Sequence, residues 1–428
     1  MALDDPRYEK TVLDNGIRVI TEHIPYVRSA ALGLWVGAGS ANEEAPVRGI
    51  SHLIEHMLFK GTPSHSARQI AETMDSVGGH LNAFTDKEVT CYHARVVDVH
   101  TDLAMDLLAD MFLHAKFDPV DLRNEQQVIL EEIRMYDDAP DEMSQDLFVR
   151  SVWAQSPLGE PTIGYAQTVS AIDRDMIASY MRERYTPDRV VVTAAGNVEH
   201  AAFTHQIATL LGGLQGYFRG VDPPPPVFRA TVAGKRKECE QVYVLVGAEG
   251  TSARDEARFP ISVLDAIVGG GMASRLFQEI REKRGLVYSV FSSHNAYHSG
   301  GIFSISASTS PKNVLEVVSL IRAELAAVAD RGISPDELQR AKEHIKGTLL
   351  LSLESTSTRM LRLGRTELAI GRHVPPSEVI AKVDAVTKEE VDAQARRIFA
   401  PQRLALTVLG PVEVQPIADA FEALAESA

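Results

Sequence analysis

The chain has 428 residues, and 43 Lys and Arg against 58 Asp and Glu leave a formal net charge of −15 at pH 7. With 45% hydrophobic and 24% charged residues it has the make-up of an ordinary globular protein, which excludes disordered, collagenous and fibrous classes. At roughly 100 to 200 residues per domain the length predicts two to four domains, and the surplus of acid argues against a nucleic-acid or anionic-membrane surface while suiting basic substrates.

The predicted elements begin with Thr11-Val12-Leu13 and Ile17-Arg18-Val19-Ile20 flanking Asn15-Gly16, a strong short-range hairpin signal. A strand is expected at about Ala30 to Gly37. The stretch from about Val47 to Lys60 has helical character and stops at Gly61-Thr62-Pro63. Ala67 to Val77 reads as a second helix closed by Gly78-Gly79, after which His80 to Val97 alternates as a strand pair. Three helices follow near Thr101 to His114, Asp118 to Tyr136 and Asp141 to Ala154, and a last strand near Arg189 to Ala195. Strands at the ends with helices between them predict an α+β sandwich, one layer of mainly antiparallel sheet and one of helices.

That pattern occurs twice. Val169 to Arg189 aligns without gaps on Val383 to Arg403, and the strands that follow end in Gly196-Asn197-Val198-Glu199 and Gly410-Pro411-Val412-Glu413. Upstream, Phe117-Asp118-Pro119 corresponds to Ile333-Ser334-Pro335. The expected organisation is therefore two tandem homologous domains, 1–215 and 241–428. Between them lies a linker over 216–240, stiffened by Pro223 to Pro226. Cys91 and Cys239, the only cysteines, are too few for a disulfide framework. The N-terminal Met1-Ala2-Leu3-Asp4-Asp5 lacks the basic and apolar regions of a leader, and no apolar run reaches the roughly 18 residues of a membrane span, so the expected location is cytoplasmic, with no membrane and no nucleic acid among the partners.

The sharpest chemical feature is His52-Leu53-Ile54-Glu55-His56. Positions i, i+3 and i+4 of a helix share one face, so His52 and His56 can hold one metal ion from successive turns with Glu55 beside it. Such a pair still needs a third protein ligand and an open position for water. The order HxxEH marks the inverzincins. Here the sequence resembles the metallopeptidase family of pitrilysin, insulysin and the mitochondrial processing peptidase, and within it the processing-peptidase-like bacterial zinc proteases.

The resemblance implies a third ligand some 76 residues beyond the second histidine, where Glu132 stands, and a steadying acid seven residues earlier, at Glu125. Seven residues is nearly two helical turns, so Glu125 and Glu132 share a face. It further implies one zinc ion per chain on His52, His56 and Glu132, with Glu55 as the base. The catalytic half is then the first, because Thr348 and Ala341 stand where the repeat places Glu132 and Glu125. Arg281 and Tyr288, seven residues apart, resemble the family's pair that meets the substrate carbonyl from the second domain, and the two domains are expected to face each other as a clamshell. Asn82 and Ala83 match the edge strand that receives extended peptide, Phe59 a residue of the pocket beyond the cleaved bond, and Glu142 and Asp146 acids that hold an arginine. The expectation is a zinc metalloendopeptidase acting as a homodimer on peptide or unfolded polypeptide. The alternative is a non-catalytic scaffold subunit of the same fold.

Overall fold

The structure, a computed structural model, describes residues 7–426. In chain order the first half contains strands β1 (Arg7–Val12), β2 (Arg18–His23) and β3 (Ser29–Val36), helices α1 (Ile50–Leu58) and α2 (Ala67–Ser76), and strands β4 (His80–Thr85) and β5 (Thr90–Val97). Helices α3 (Thr101–His114), α4 (Pro119–Asp138), α5 (Pro140–Val152), α6 (Ala166–Ala171) and α7 (Arg174–Arg184), strand β6 (Val190–Gly196) and helix α8 (His200–Leu211) complete it. The second half has β7 (Val232–Arg236), β8 (Val242–Glu249), α9 (Arg258–Val268), β9 (Val287–Ala296), β10 (Gly301–Thr309), α10 (Val314–Arg331), α11 (Pro335–Ser352), α12 (Thr356–Ile370), α13 (Pro376–Ala385), α14 (Lys388–Ile398), β11 (Ala405–Gly410) and α15 (Gln415–Glu426).

Local chemistry accounts for most boundaries. The β1–β2 hairpin turns at Gly16, whose φ of +100° lies in the region only glycine adopts without strain. Ser66 and Gln69 close a capping box at the start of α2, and Gly78 at φ +63° follows its end. The helix expected from Val47 starts later, at Ile50, because Pro46 sits in a short 3-10 turn and Gly49 has φ +95°. Helix α8 was not among the expected elements.

Two compact units result. Unit 1 comprises residues up to 134, 160–223 and 351–375; unit 2 comprises 135–159, 224–350 and 376 onward. The segment 135–159, which contains α5, clusters with the second half of the chain, and 351–375, which contains α12, with the first. The expected linker also ends in structure, since β7 pairs in parallel with β11 from Val232↔Leu406 onward.

Unit 1 has a six-stranded sheet in the order β1-β2-β6-β3-β5-β4, antiparallel except for β2 and β6. Unit 2 has five strands in the order β7-β11-β8-β10-β9, antiparallel except for β7 and β11. Each unit is the expected mainly antiparallel sheet covered by helices, with one further helix on the sheet's second face. In unit 1 Ala30, Leu32, Leu34 and Val36 point into a core shared with the layer of α1, α3 and α8, whereas Ala31 and Trp35 point the other way, onto Met360 and Leu363 of α12. Burial on both faces explains why β3 lacks polar alternation, a signal present in its sequence. In unit 2, α5 takes the matching place, packing on β11, β8 and β7. Glycines make room in both: a Cβ on Gly364 would come within 2.1 Å of Trp35, and one on Gly247 within 2.5 Å of Phe148. Among the described residues no helix is long and apolar enough to cross a membrane.

Candidate metal centre

Helix α1 buries Ile50, Leu53, Ile54, Met57 and Leu58, leaving His52, Glu55 and His56 on its other face. Its N-terminus has no side-chain cap of the usual kind. Instead the buried carboxylate of Glu43 accepts hydrogen bonds from the amides of Gly49 (2.7 Å) and Ser51 (2.8 Å). Helix α4 starts at Pro119, with Asp118 accepting from the Val120 amide. It is pinned by Gln126, whose Nε2 donates to the carbonyls of Val169 and Ile172 at 2.8 Å each. That register sets Glu125 and Glu132 against α1.

Glu132 Oε2 lies 4.0 Å from His52 Nε2 and 3.8 Å from His56 Nε2, and the three donor atoms sit within 4.8 Å of one another. Zinc bonds to such atoms run about 2.0–2.2 Å, so one ion spans up to about 4.2 Å between two of them, and both distances fall inside that reach. The donor set, two imidazoles and one carboxylate, suits an ion that keeps a further position open. Among the described residues it is the one cluster of its kind. Burial, with His56 beside it, holds His52 down to about 4, so its imidazole is neutral near pH 7 and has a lone pair to offer. His52 Nδ1 is buried without a hydrogen-bond partner.

His56 is oriented from behind. Its Nδ1 is 3.0 Å from Glu125 Oε2, which makes Nδ1 the donor and leaves the Nε2 lone pair facing Glu132. Glu125 is 6% exposed, and its other oxygen accepts from Lys60 Nζ at 2.7 Å, so the buried charge is compensated. Glu55 is held by Thr85, whose hydroxyl donates to Oε2 at 2.6 Å. Burial pushes the Glu55 carboxyl above the usual carboxylate range, against the lowering pull of Thr85. Sequence reasoning missed Lys60, Thr85 and Glu43. Lys60 lies just past the end of α1, close in sequence to His56; Thr85, on another element, had no such signal. Glu131, adjacent to the site residues, pairs with Arg134 on the solvent side.

Asn82 and Ala83 lie on β4, which is an edge strand with β5 as its one partner. The Asn82 side chain accepts from the Ala83 amide at 2.8 Å. Phe59 is partly buried and packs against the unit 1 core. The other expected residues belong to unit 2. Tyr288, on edge strand β9, is 76% exposed. Arg281 stacks its guanidinium 4.8 Å over the Phe277 ring in a π-turn. Glu142 and Tyr288 line one cavity of about 610 Å³ beside α5, together with Asp141, Glu240, Tyr243 and Phe291. Asp146 is on α5 but not among the cavity's lining residues.

Residues 18–165 match the family model for insulinase (peptidase family M16), and residues 171–345 match the model for the peptidase M16 inactive domain. The chain is 41% identical over 397 residues to the uncharacterised zinc protease YmxG of Bacillus subtilis, covering 93% of this chain and 97% of that one. It is 42% identical over 407 residues to the uncharacterised zinc protease Rv2782c of Mycobacterium tuberculosis, covering 94% and 93%. In fold it is similar to a protease from Helicobacter pylori, with a TM-score of 0.88, 20% identity and coverage of 95% of this chain and 100% of that one. A peptidase M16 inactive domain from Pseudomonas fluorescens superposes equally well, with a TM-score of 0.88 at 19% identity over 95% and 99% of the two chains. From the two curated relatives and the two matched halves, the chain belongs to peptidase family M16, the insulinase family.

Proposed function

We propose that the protein is a zinc metalloendopeptidase that hydrolyses extended peptides or unfolded segments. The observation that carries this reading is the convergence of His52, His56 and Glu132 on one point with Glu55 alongside. Zinc, implied by the relatives' names, supplies there a Lewis acid that brings a water's pKa toward about 7. His52, His56 and Glu132 hold it, one ion per chain, while Glu125 keeps His56 in the ligating tautomer. Glu55 takes the proton of the attacking water and delivers it to the leaving amine, so that the C–N bond breaks as the new C–O bond is retained. A carboxyl raised by burial is suited to both tasks. By the family resemblance Tyr288 and Arg281 donate to the oxyanion, Asn82 and Ala83 pair with the substrate main chain, and Phe59 lines a side-chain pocket. Glu142 and Asp146 select basic residues, in keeping with the acidic lining around Glu142.

A second reading, a non-catalytic subunit, is favoured by the inactive-domain match over 171–345. That match lies outside the segment bearing His52, Glu55 and His56, which matches the insulinase model. One experiment separates the two. Purified protein should contain about one zinc per chain and cleave a peptide library until chelated, and Glu55→Gln should retain the zinc while losing at least about a hundredfold in kcat. Zinc-free protein without chelator-sensitive cleavage would establish the scaffold reading. In the same library, E142Q with D146N should lose the preference for basic residues and leave other cleavages unchanged.

A further inference from the structure

We propose that Thr85 is the positioning residue for the hydrolytic base: from the end of edge strand β4 it fixes Glu55, so the strand that borders the site also sets the direction of the group that moves the proton. The inference rests on the reading of Glu55 as that base.

A glutamate on a helix reaches its working position through three torsions, and each must be fixed against its rotamer freedom. Thr85 supplies the restraint with its hydroxyl, which donates to Oε2 at 2.6 Å. Threonine is suited to this. Its β-branch stiffens χ1, so the hydroxyl direction follows the strand rather than the side chain's own freedom. The strand in turn is fixed. Thr85 pairs with Thr90 of β5, and the preceding Phe84 packs edge-on to Trp35 at 5.7 Å with the Arg365 guanidinium 5.3 Å from its ring. The base is therefore tied to the sheet through one residue and to α1 through its own backbone. An unpaired helix face would leave it to wander.

The test compares Thr85→Val, which keeps the shape and removes the donor, with Thr85→Ser, which restores it. T85V should lower kcat about 10- to 100-fold, the range expected when a reacting group is misplaced by about an ångström. KM should stay within about twofold and zinc content unchanged. T85S should recover to within about threefold of the parent. In the zinc-loaded protein without substrate, the Glu55 carboxylate band, isolated by infrared difference against E55Q, should shift in T85V and return in T85S. Adding T85V to E55Q should cost nothing further, since the two act as one unit. Should the T85V chain not fold, T85A is read in its place. Unchanged kcat in T85V with E55Q inactive overturns the role of Thr85 and leaves the peptidase reading intact. Loss confined to KM or to zinc also overturns it. Full turnover by E55Q removes the base itself, and the role of Thr85 with it.

Discussion

Helices α1 and α4 of unit 1 and their counterparts α9 and α11 of unit 2 follow corresponding strands in chain order, and they differ in the polar residues they carry. Both α1 and α9 bury an apolar face, but where α1 has His52, Glu55 and His56 on the other, α9 has Ser262, Asp265 and Ala266, with Ile261, Val263, Leu264, Ile267 and Val268 in the unit 2 core. Ala341, in the place of Glu125, is itself part of that core. The helix starts differ as well: α1 is held by the buried Glu43, whereas α9 begins beside Asp255, which accepts from the Ala257 amide in an exposed position. The scaffold does not require the polar cluster, since unit 2 packs without it. Unit 1 bears the cost of a carboxylate at 6% exposure and of an unpartnered His52 Nδ1, a cost that fits the proposed metal centre.

The largest effect should break the comparison outright. Glu132→Gln should lower zinc affinity by well over a hundredfold and abolish cleavage, whereas Thr348→Ala, at the equivalent place on α11, should leave zinc content and kcat within about twofold. A comparable loss from T348A would mean that the second repeat carries function of its own.

A smaller effect separates the two helix starts. Burial raises the Glu43 carboxyl to about 7 from a free value of 4.5, against the pull of the Gly49 and Ser51 amides and of Lys87. Below about pH 4.5 the folded and unfolded chains are both protonated there. Between 4.5 and 7 the folded chain keeps a proton that the unfolded chain releases, so stability falls as pH rises through this window and is level above it. The size is on the order of 3 kcal/mol. Chelated protein melted between pH 4.5 and 8 should show this slope, and Glu43→Gln should flatten it; an unchanged slope in E43Q would assign it to other groups.

The smallest effect should appear in both units alike. Gly364→Ala and Gly247→Ala each place a methyl against a buried ring, Trp35 in one case and Phe148 in the other, and each should destabilise by about 1–3 kcal/mol in denaturant melts. A neutral G247A beside a damaging G364A would show that the two donated helices are not equivalent.

Much of this was legible before any coordinates. The hairpin at Asn15-Gly16, the helix bearing HxxEH and the seven-residue spacing of Glu125 and Glu132 are local patterns, set by turn chemistry and helical period, and His52, His56 and Glu132 do meet. What stayed hidden depends on contacts between distant segments. Thr85 stands 30 residues from Glu55 on a different kind of element, and no periodicity links them. The destination of α12 was equally unreadable from its own sequence, although the unbroken apolar run of β3 announces that something covers its second face.

That covering helix constrains the order of events during synthesis. Met360, Leu363 and Gly364, which close over Trp35 and its face of the sheet, are translated more than three hundred residues after it. Until then the half bearing the histidines has one apolar surface bare. Completion of the first unit is thereby tied to synthesis of a segment more than three hundred residues further on, and a chain that stalls before it carries the full HxxEH motif on an unfinished body.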